Sequence, residues 1–460
     1  MQLYSPNPSP RAVAGPPTPG EALSVLAHGV VPDGVTLNTA ALQAMIDRCR
    51  RSGGGTLYFP AGRYLSGGLV LCSRLRLYFD AGATLLGSPV LEHYPHYFPS
   101  PEPFPEGYEG VRALLSATDC GEITLEGPGT IDGQGGLFDV YPEVRGGRPR
   151  NLWFARCRDI RVSGLRLRNS GFWMQHYLRC EEVRLSDLDI WNHAGTNNDG
   201  IDIDGCRDVF IRNCRVDSSD DAICLKSGND AVTENVIITD CLTRSHCNHF
   251  KTGTESRGGF RNIRVSHLVM TPSAQPDSHP GTTGADPRGA CGIALGAVDG
   301  GSLSDIVVEN IRMDQVQVPF FIRLGNRGNC PPGVAPAGET ASAARIRLSG
   351  IEATGAGPRG CHIIGLPDAP VHDVTLENSS FEFAGGGTAA LAQRPVALRH
   401  DGYPSCDAFG ELPAYGVYCH DTRALRFSGL MFRTREPEAR PALLWLETGG
   451  VRLERVETLG

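Results

Sequence analysis

The chain has 460 residues, 57 of them glycine and 33 proline, and its 43 Lys and Arg against 51 Asp and Glu leave a formal net charge of −8. The arginines are scattered singly, which excludes a basic stripe for a nucleic-acid backbone, and no run of eighteen apolar residues offers a membrane-spanning helix. The opening MQLYSPNPSP has neither a basic nor an apolar leader region, so the chain reads as cytoplasmic if complete, and as secreted or periplasmic if a leader has been removed.

Residues 1–22 are rich in Pro, Ser and Gly and read as a loose segment preceding one domain over 23–460. Asn38 or Thr39 can cap a short helix whose apolar positions are Leu42, Met45 and Ile46, and Gly53, Gly54 and Gly55 end it. The alternating runs at 56–59 and 75–79 read as the first strands. From about residue 120 one shape recurs: a turn with Asn, Asp or Arg, then two short strands split by a polar or Gly corner. Aligning the first strands puts Ile160, Val183, Val209, Val236, Ile263 and Ile306 in register, at steps of 23, 26, 27, 27 and 43 residues. Such a period, with insertions at one corner, predicts an all-β solenoid: a right-handed parallel β-helix, its N-terminal coil covered by the amphipathic helix. The expected cleft-forming excursions are 93–110, 271–288, 328–342 and 383–413. The fifteen cysteines lack the close pairing of a zinc or iron–sulfur site. Cys157, Cys180 and Cys206 instead recur before strand text, as small buried hydrophobes would; disulfides are the minority reading.

The stretch TNNDGIDIDGCRDVFIRNCRVDSSDDAICLKS contains the chemistry. Asp199 and Asp220 stand 21 residues apart, so in a coil of that length their turns stack, and Asp221 joins them. Carboxylates held close cannot all ionise comfortably, and one is pushed to keep a proton. Glycosidic cleavage needs that split, with a separation of about 6.5–9.5 Å when water attacks directly. As isolated residues these aspartates would read as turn formers, and Asp202, Asp204, Asp208 and Asp217 read in that bland way, as charged strand-face or corner residues.

Here the sequence resembles glycoside hydrolase family 28, the polygalacturonase and rhamnogalacturonase type. PAGRYLSGG, GPGTIDGQG and NSGFWMQH carry the resemblance, with Asn197, Asn198, Asp199 and Gly200 at the family's Asn-Thr-Asp-Gly turn, and Asp220 and Asp221 followed by Lys226 and Ser227. The resemblance implies hydrolysis with inversion and no cofactor or metal, Asp220 being the general acid and Asp199 with Asp221 activating water. Two departures stand out. The family's Gly-His-Gly falls on His246, Cys247 and Asn248, so His246 or His249 is left to supply the imidazole. Its Arg-Ile-Lys uronate clamp falls on Gly292, Ile293, Ala294 and Leu295, where no basic residue stands. Lys251, Arg323 or Arg327 would have to replace the clamp from other coils; otherwise the sugar there is neutral, and plain polygalacturonan is not the expected substrate. Trp173 and His176 are expected in the cleft, Trp173 as a sugar platform or equally as a core aromatic. Long cleft walls would suit an exo-acting enzyme.

The expected partner is an oligo- or polysaccharide, with no nucleic acid and no membrane; monomer and homo-oligomer stay open. Two rivals remain: a β-helix lyase using Ca²⁺ bridged by the acidic cluster, and a carbohydrate-binding solenoid without catalysis.

Overall fold

A computed structural model of the chain describes residues 17, 21–95, 111–138, 148–228, 230–275, 286–329 and 340–459. Most of segment 1–22 and of the excursions 93–110, 271–288 and 328–342 lies outside these residues. Among the described residues every named strand pairs in parallel, chiefly with the strand one coil before and the strand one coil after. Crossovers between parallel neighbours are right-handed, so the chain winds into a right-handed parallel β-helix.

The register follows the aliphatic pattern. Ile160, Val183, Val209, Val236, Ile263 and Ile306 stand in one column, which extends back to Leu75 and Ile123 and on to Ile346, Val374 and Leu425. Each is buried, and burying one such side chain stabilises by about 1.5–3 kcal/mol. A one-residue slip would turn the whole column outward. The 43-residue step is therefore a coil with a long excursion, and its register is intact.

The polar corner also has a physical cause. Asp187, Asn213, Asp240, His267, Asn310, Gly350, Asn378 and Gly429 stack at one bend, and all have φ between 48° and 62°. Asn, Asp and Gly tolerate this left-handed backbone best, so the repeat carries them there. The residues that follow, among them Leu188, Cys214, Cys241, Leu268 and Ile311, are buried in the core. Cysteine shares that one column with leucine and isoleucine, as expected of a thiol used as a small hydrophobe. All fourteen described cysteines are free.

The helix Thr39–Arg51 buries Leu42, Met45, Ile46 and Cys49 over the first coil. Its expected cap is corrected in one respect: the Asn38 side chain bonds Val31 N, Val31 O and Thr36 O and leaves the helix end alone.

One face positions the site. Strands Gln175–Leu178, Ile201–Asp204, Ile223–Ser227, Asn248–Ser256, Cys291–Ala297 and Val318–Leu324 lie side by side. Ile201, Ile223, Phe250 and Ile293 point into the core, while His176, Asp202, Cys224, Lys251, Ala294 and Phe321 form the opposite column.

Candidate active site

Three turns lead into these strands, and their backbones lock together. Gly200 N donates to Asp221 O at 2.9 Å and Ile201 N to Ala222 O at 3.1 Å, so the turn holding Asp199 sits directly on the one holding Asp220 and Asp221. Gly200 is required for that approach: a Cβ there would lie 2.3 Å from Val216 Cγ1 and 2.5 Å from Ala222 O. Ser218 and Ser245 hydroxyls donate to the backbone oxygen of Asp220 at 2.8 and 2.7 Å and fix the corner from two coils.

The two adjacent carboxylates meet different surroundings. Asp221 is buried; its Oδ2 accepts from Lys251 Nζ at 2.8 Å and its Oδ1 from Asn248 Nδ2 at 2.5 Å. Burial opposes its charge, but Lys251 and Lys226, with these hydrogen bonds, hold its pKa below the ordinary value. Asp220 reaches solvent in part and accepts from the Asp221 backbone N–H at 2.9 Å. Burial and then the Asp221 charge push its carboxyl up to about 6. Asp199, buried and 4.0 Å from Lys226 Nζ, is raised well above the ordinary range by burial, Asp202 and Asp220. One group thus stays ionised while two tend to hold protons.

Sequence reasoning set Asp202 aside as a strand-face charge. It is fully buried, 3.6 Å from Lys226 Nζ, and burial pushes it up to about 8 although Lys226 opposes. Lys226 also lies 3.4 Å from Glu255 and 4.3 Å above the Trp173 ring. The alternation Ile201, Asp202, Ile203, Asp204 held the signal for Asp202: both acids leave the strand on the Asp199 side. A raised carboxyl pKa contributes stability below the unfolded value and loses it as pH rises through the folded one. Above about pH 8 the wild type must ionise Asp202 in the interior, whereas Asn cannot ionise. Asp202→Asn should therefore lose less melting temperature than wild type between pH 6 and 9.5; parallel curves would refute the assignment.

Several expected sugar contacts are engaged elsewhere. Trp173 is only 5 % exposed, packed among Phe172, His176, Arg150 and Lys226, so it supports the site from below and offers no platform. His176 is buried with Nε2 at 3.4 Å from Asp204, too deep for a hydroxyl partner. Asn198 is a buried brace: its amide donates to Ser170 O and Phe172 O at 2.9 Å and its oxygen accepts from Gly195 N. Asn197 sits half-buried in a left-handed turn, its Oδ1 3.4 Å from Arg148. His249 is buried and bonded through Nδ1 to Thr243. His246 donates through Nε2 to Gln275 O at 2.8 Å and packs edge-on to His193, which meets Asp217 at 2.9 Å. This cluster flanks the acids without joining them.

The candidate clamps are occupied too. Arg327 grips Asp299 with Nε and Nη2 at 2.9 and 2.6 Å. Arg323 donates to Tyr403 O at 2.9 Å and to Arg399 O. Lys251 is committed to Asp221.

Two donor sets, Asp199 with Asp202 and Cys224, and Asp220 with Asp221 and Cys247, each bring their atoms within 4.8 Å. Calcium takes about 6–8 oxygen ligands. Each set offers two carboxylates and a thiol with a lysine ammonium 2.8–4.0 Å from one of its carboxylates, a poor fit for that ion. Fold and site together define a parallel β-helix with an acid cluster graded in proton affinity on one face.

Comparison with known proteins agrees. Residues 106–246 match the model of glycosyl hydrolases family 28, and residues 22–90 match that of rhamnogalacturonase A/epimerase, pectate lyase-like. A probable polygalacturonase of Vitis vinifera is 29 % identical over 329 residues, covering 66 % of this chain and 63 % of its own length. One from Arabidopsis thaliana is 25 % identical, covering 82 % of this chain and 77 % of its own. The exopolygalacturonase of Thermotoga maritima superposes with a TM-score of 0.64 at 22 % identity, over 81 % of this chain and 89 % of that one, a likeness of fold. Over residues 106–246 the chain thus resembles glycosyl hydrolases family 28. It spans 63 % of the length of the grapevine relative.

Proposed function

We propose that this chain hydrolyses glycosidic bonds in a pectin-related oligo- or polysaccharide. The observation carrying this reading is the split between neighbours: Asp220 keeps a proton to about pH 6 while Lys251 and Asn248 keep Asp221 ionised. Asp220 protonates the leaving oxygen, Asp221 takes a proton from water, and Asp199, held neutral by burial, donates a hydrogen bond that orients that water. The resemblance to proteins named polygalacturonase supports a pectic substrate. Ala294, where the family clamp would fall, and the engagement of Lys251, Arg323 and Arg327 favour a neutral sugar at the cleavage point over a uronate.

One distance favours a second reading. Asp220 and Asp221 oxygens lie within 4.8 Å, closer than the expected 6.5–9.5 Å and nearer the spacing of about 5–5.5 Å at which a carboxylate attacks the sugar itself. Inversion therefore rests on the family and not on the separation. Proton NMR of the first product formed from pectic and neutral oligosaccharides decides: the opposite anomer is expected, and the retained anomer would make Asp221 a nucleophile. An unsaturated, ultraviolet-absorbing product would replace hydrolysis by elimination.

A further inference from the structure

The strand Cys291–Ala297 is bare on its outer face. Ala294 follows Lys251 in one column, and Gly296 precedes Arg323 in the next. A segment from far along the chain fills the space above them. Pro404 lies 3.7 Å from where a Cβ on Gly296 would be. Cys406 Sγ donates to Ala290 O at 3.3 Å and packs with Cys291, Ala294, Val318 and Phe321. Asn326 N donates to His400 O at 2.6 Å, and Arg323, itself 1 % exposed, holds the oxygens of Arg399 and Tyr403. Residues 399–406 thus plug the place an arginine or lysine clamp would need.

The plug ends in an aromatic ring beside the acids. Tyr403 is 52 % exposed, yet it is tied at both ends, its backbone oxygen to Arg323 and its phenol oxygen to Lys251 Nζ at 3.1 Å. The same ammonium holds Asp221 at 2.8 Å. A half-open ring fixed this firmly loses little freedom when a flat apolar surface settles on it, and the C–H face of a pyranose is such a surface. A carboxylate brought there would find Lys251, Arg323 and Arg327 already engaged.

We propose that Tyr403 is a substrate-positioning residue of the hydrolytic site: its ring stacks one sugar of the glycan beside Asp220 and Asp221, and residues 399–406 make that subsite one for a neutral pyranose. This rests on the hydrolase reading above and adds the residue and the sugar class. The test uses the full chain as wild type, Tyr403→Phe, Tyr403→Trp and Tyr403→Leu, with matched oligosaccharides carrying a neutral sugar or a uronate next to the cleaved bond. Steady-state kinetics are read alongside calorimetric binding to the same variants in an Asp220→Asn background. Tyr403→Leu should raise KM and Kd about tenfold with kcat within about threefold, while Phe and Trp keep wild-type affinity, a stacked ring contributing on the order of 1 kcal/mol or more. The neutral-sugar ligand should bind about tenfold tighter than the uronate. An unchanged Kd in Tyr403→Leu, a preference for the uronate, or binding of neither ligand overturns the proposal. If Tyr403→Leu melts early, loss of affinity in the ring-preserving variants overturns it instead. Binding without turnover in wild type would remove the hydrolase reading alone, since calorimetry still reads the ring.

Discussion

Asp220→Asn is expected to lower turnover about a thousandfold with KM little changed, because a positioned general acid contributes on the order of 10²–10⁴ in rate. The substitution keeps shape and preserves the acceptor for the Asp221 backbone N–H, now at 2.9 Å, so the turn should hold. What it removes is the proton. Burial and the Asp221 charge hold that proton to about pH 6, so wild-type activity should fall as pH rises through that region. The acid limb should lie below the ordinary carboxylate range, where Asp221 finally protonates. Residual activity in Asp220→Asn should lack the alkaline limb. Initial rates from pH 3 to 8 on one oligosaccharide check both. A loss of only two- or threefold, or an unchanged limb, would take the acid role from Asp220.

Much of the scaffold was legible in the sequence because a solenoid repeats its constraints. One aliphatic column and one left-handed corner return every coil, so the repeat alone sets Ile160 to Ile306 in register across a 43-residue step. The same period brought Asp199 over Asp220 and Asp221. It could not show what stacks against a residue from the side. Trp173 and His176 lie one coil before Asp199, a position that left Trp173 equally a sugar platform or a core aromatic; the neighbouring coils close over both. Asp202 was missed for the opposite reason: an acid on an outward strand position reads as solvated unless the wall above it is known. Tyr403 meets Lys251 across 152 residues of chain, and no local pattern announces a loop that folds back over a cleft.

Lys251 joins these threads, and Lys251→Met should have the second large effect. Its ammonium is the nearest cation to Asp221, at 2.8 Å, and both groups are buried. Removing one member of such a pair leaves a charge without its partner, at a cost of about 3–5 kcal/mol. The sign with pH follows. A depressed carboxyl pKa gives stability that is present above the unfolded value, 3.8 for Asp, and lost as pH falls through the lower folded one. The deficit of Lys251→Met should therefore be full near pH 7 and shrink on acidification past the ordinary carboxylate range, as urea unfolding at pH 7 and pH 3.5 would show. Activity should change in the same direction. Without Lys251, Asp221 competes with Asp220 for the proton, the acid limb of the rate profile moves up towards the alkaline one, and the window between them narrows. Turnover at the optimum should drop about a hundredfold, as when a general base is mostly protonated. Tyr403 would lose its bond to Lys251 as well, as it does in Tyr403→Phe, but its backbone stays held by Arg323, so KM should stay near the wild-type value. A variant as stable as wild type at neutral pH, with an unmoved acid limb, would mean that Asn248 and Lys226 alone keep Asp221 charged and that Lys251 serves only the loop.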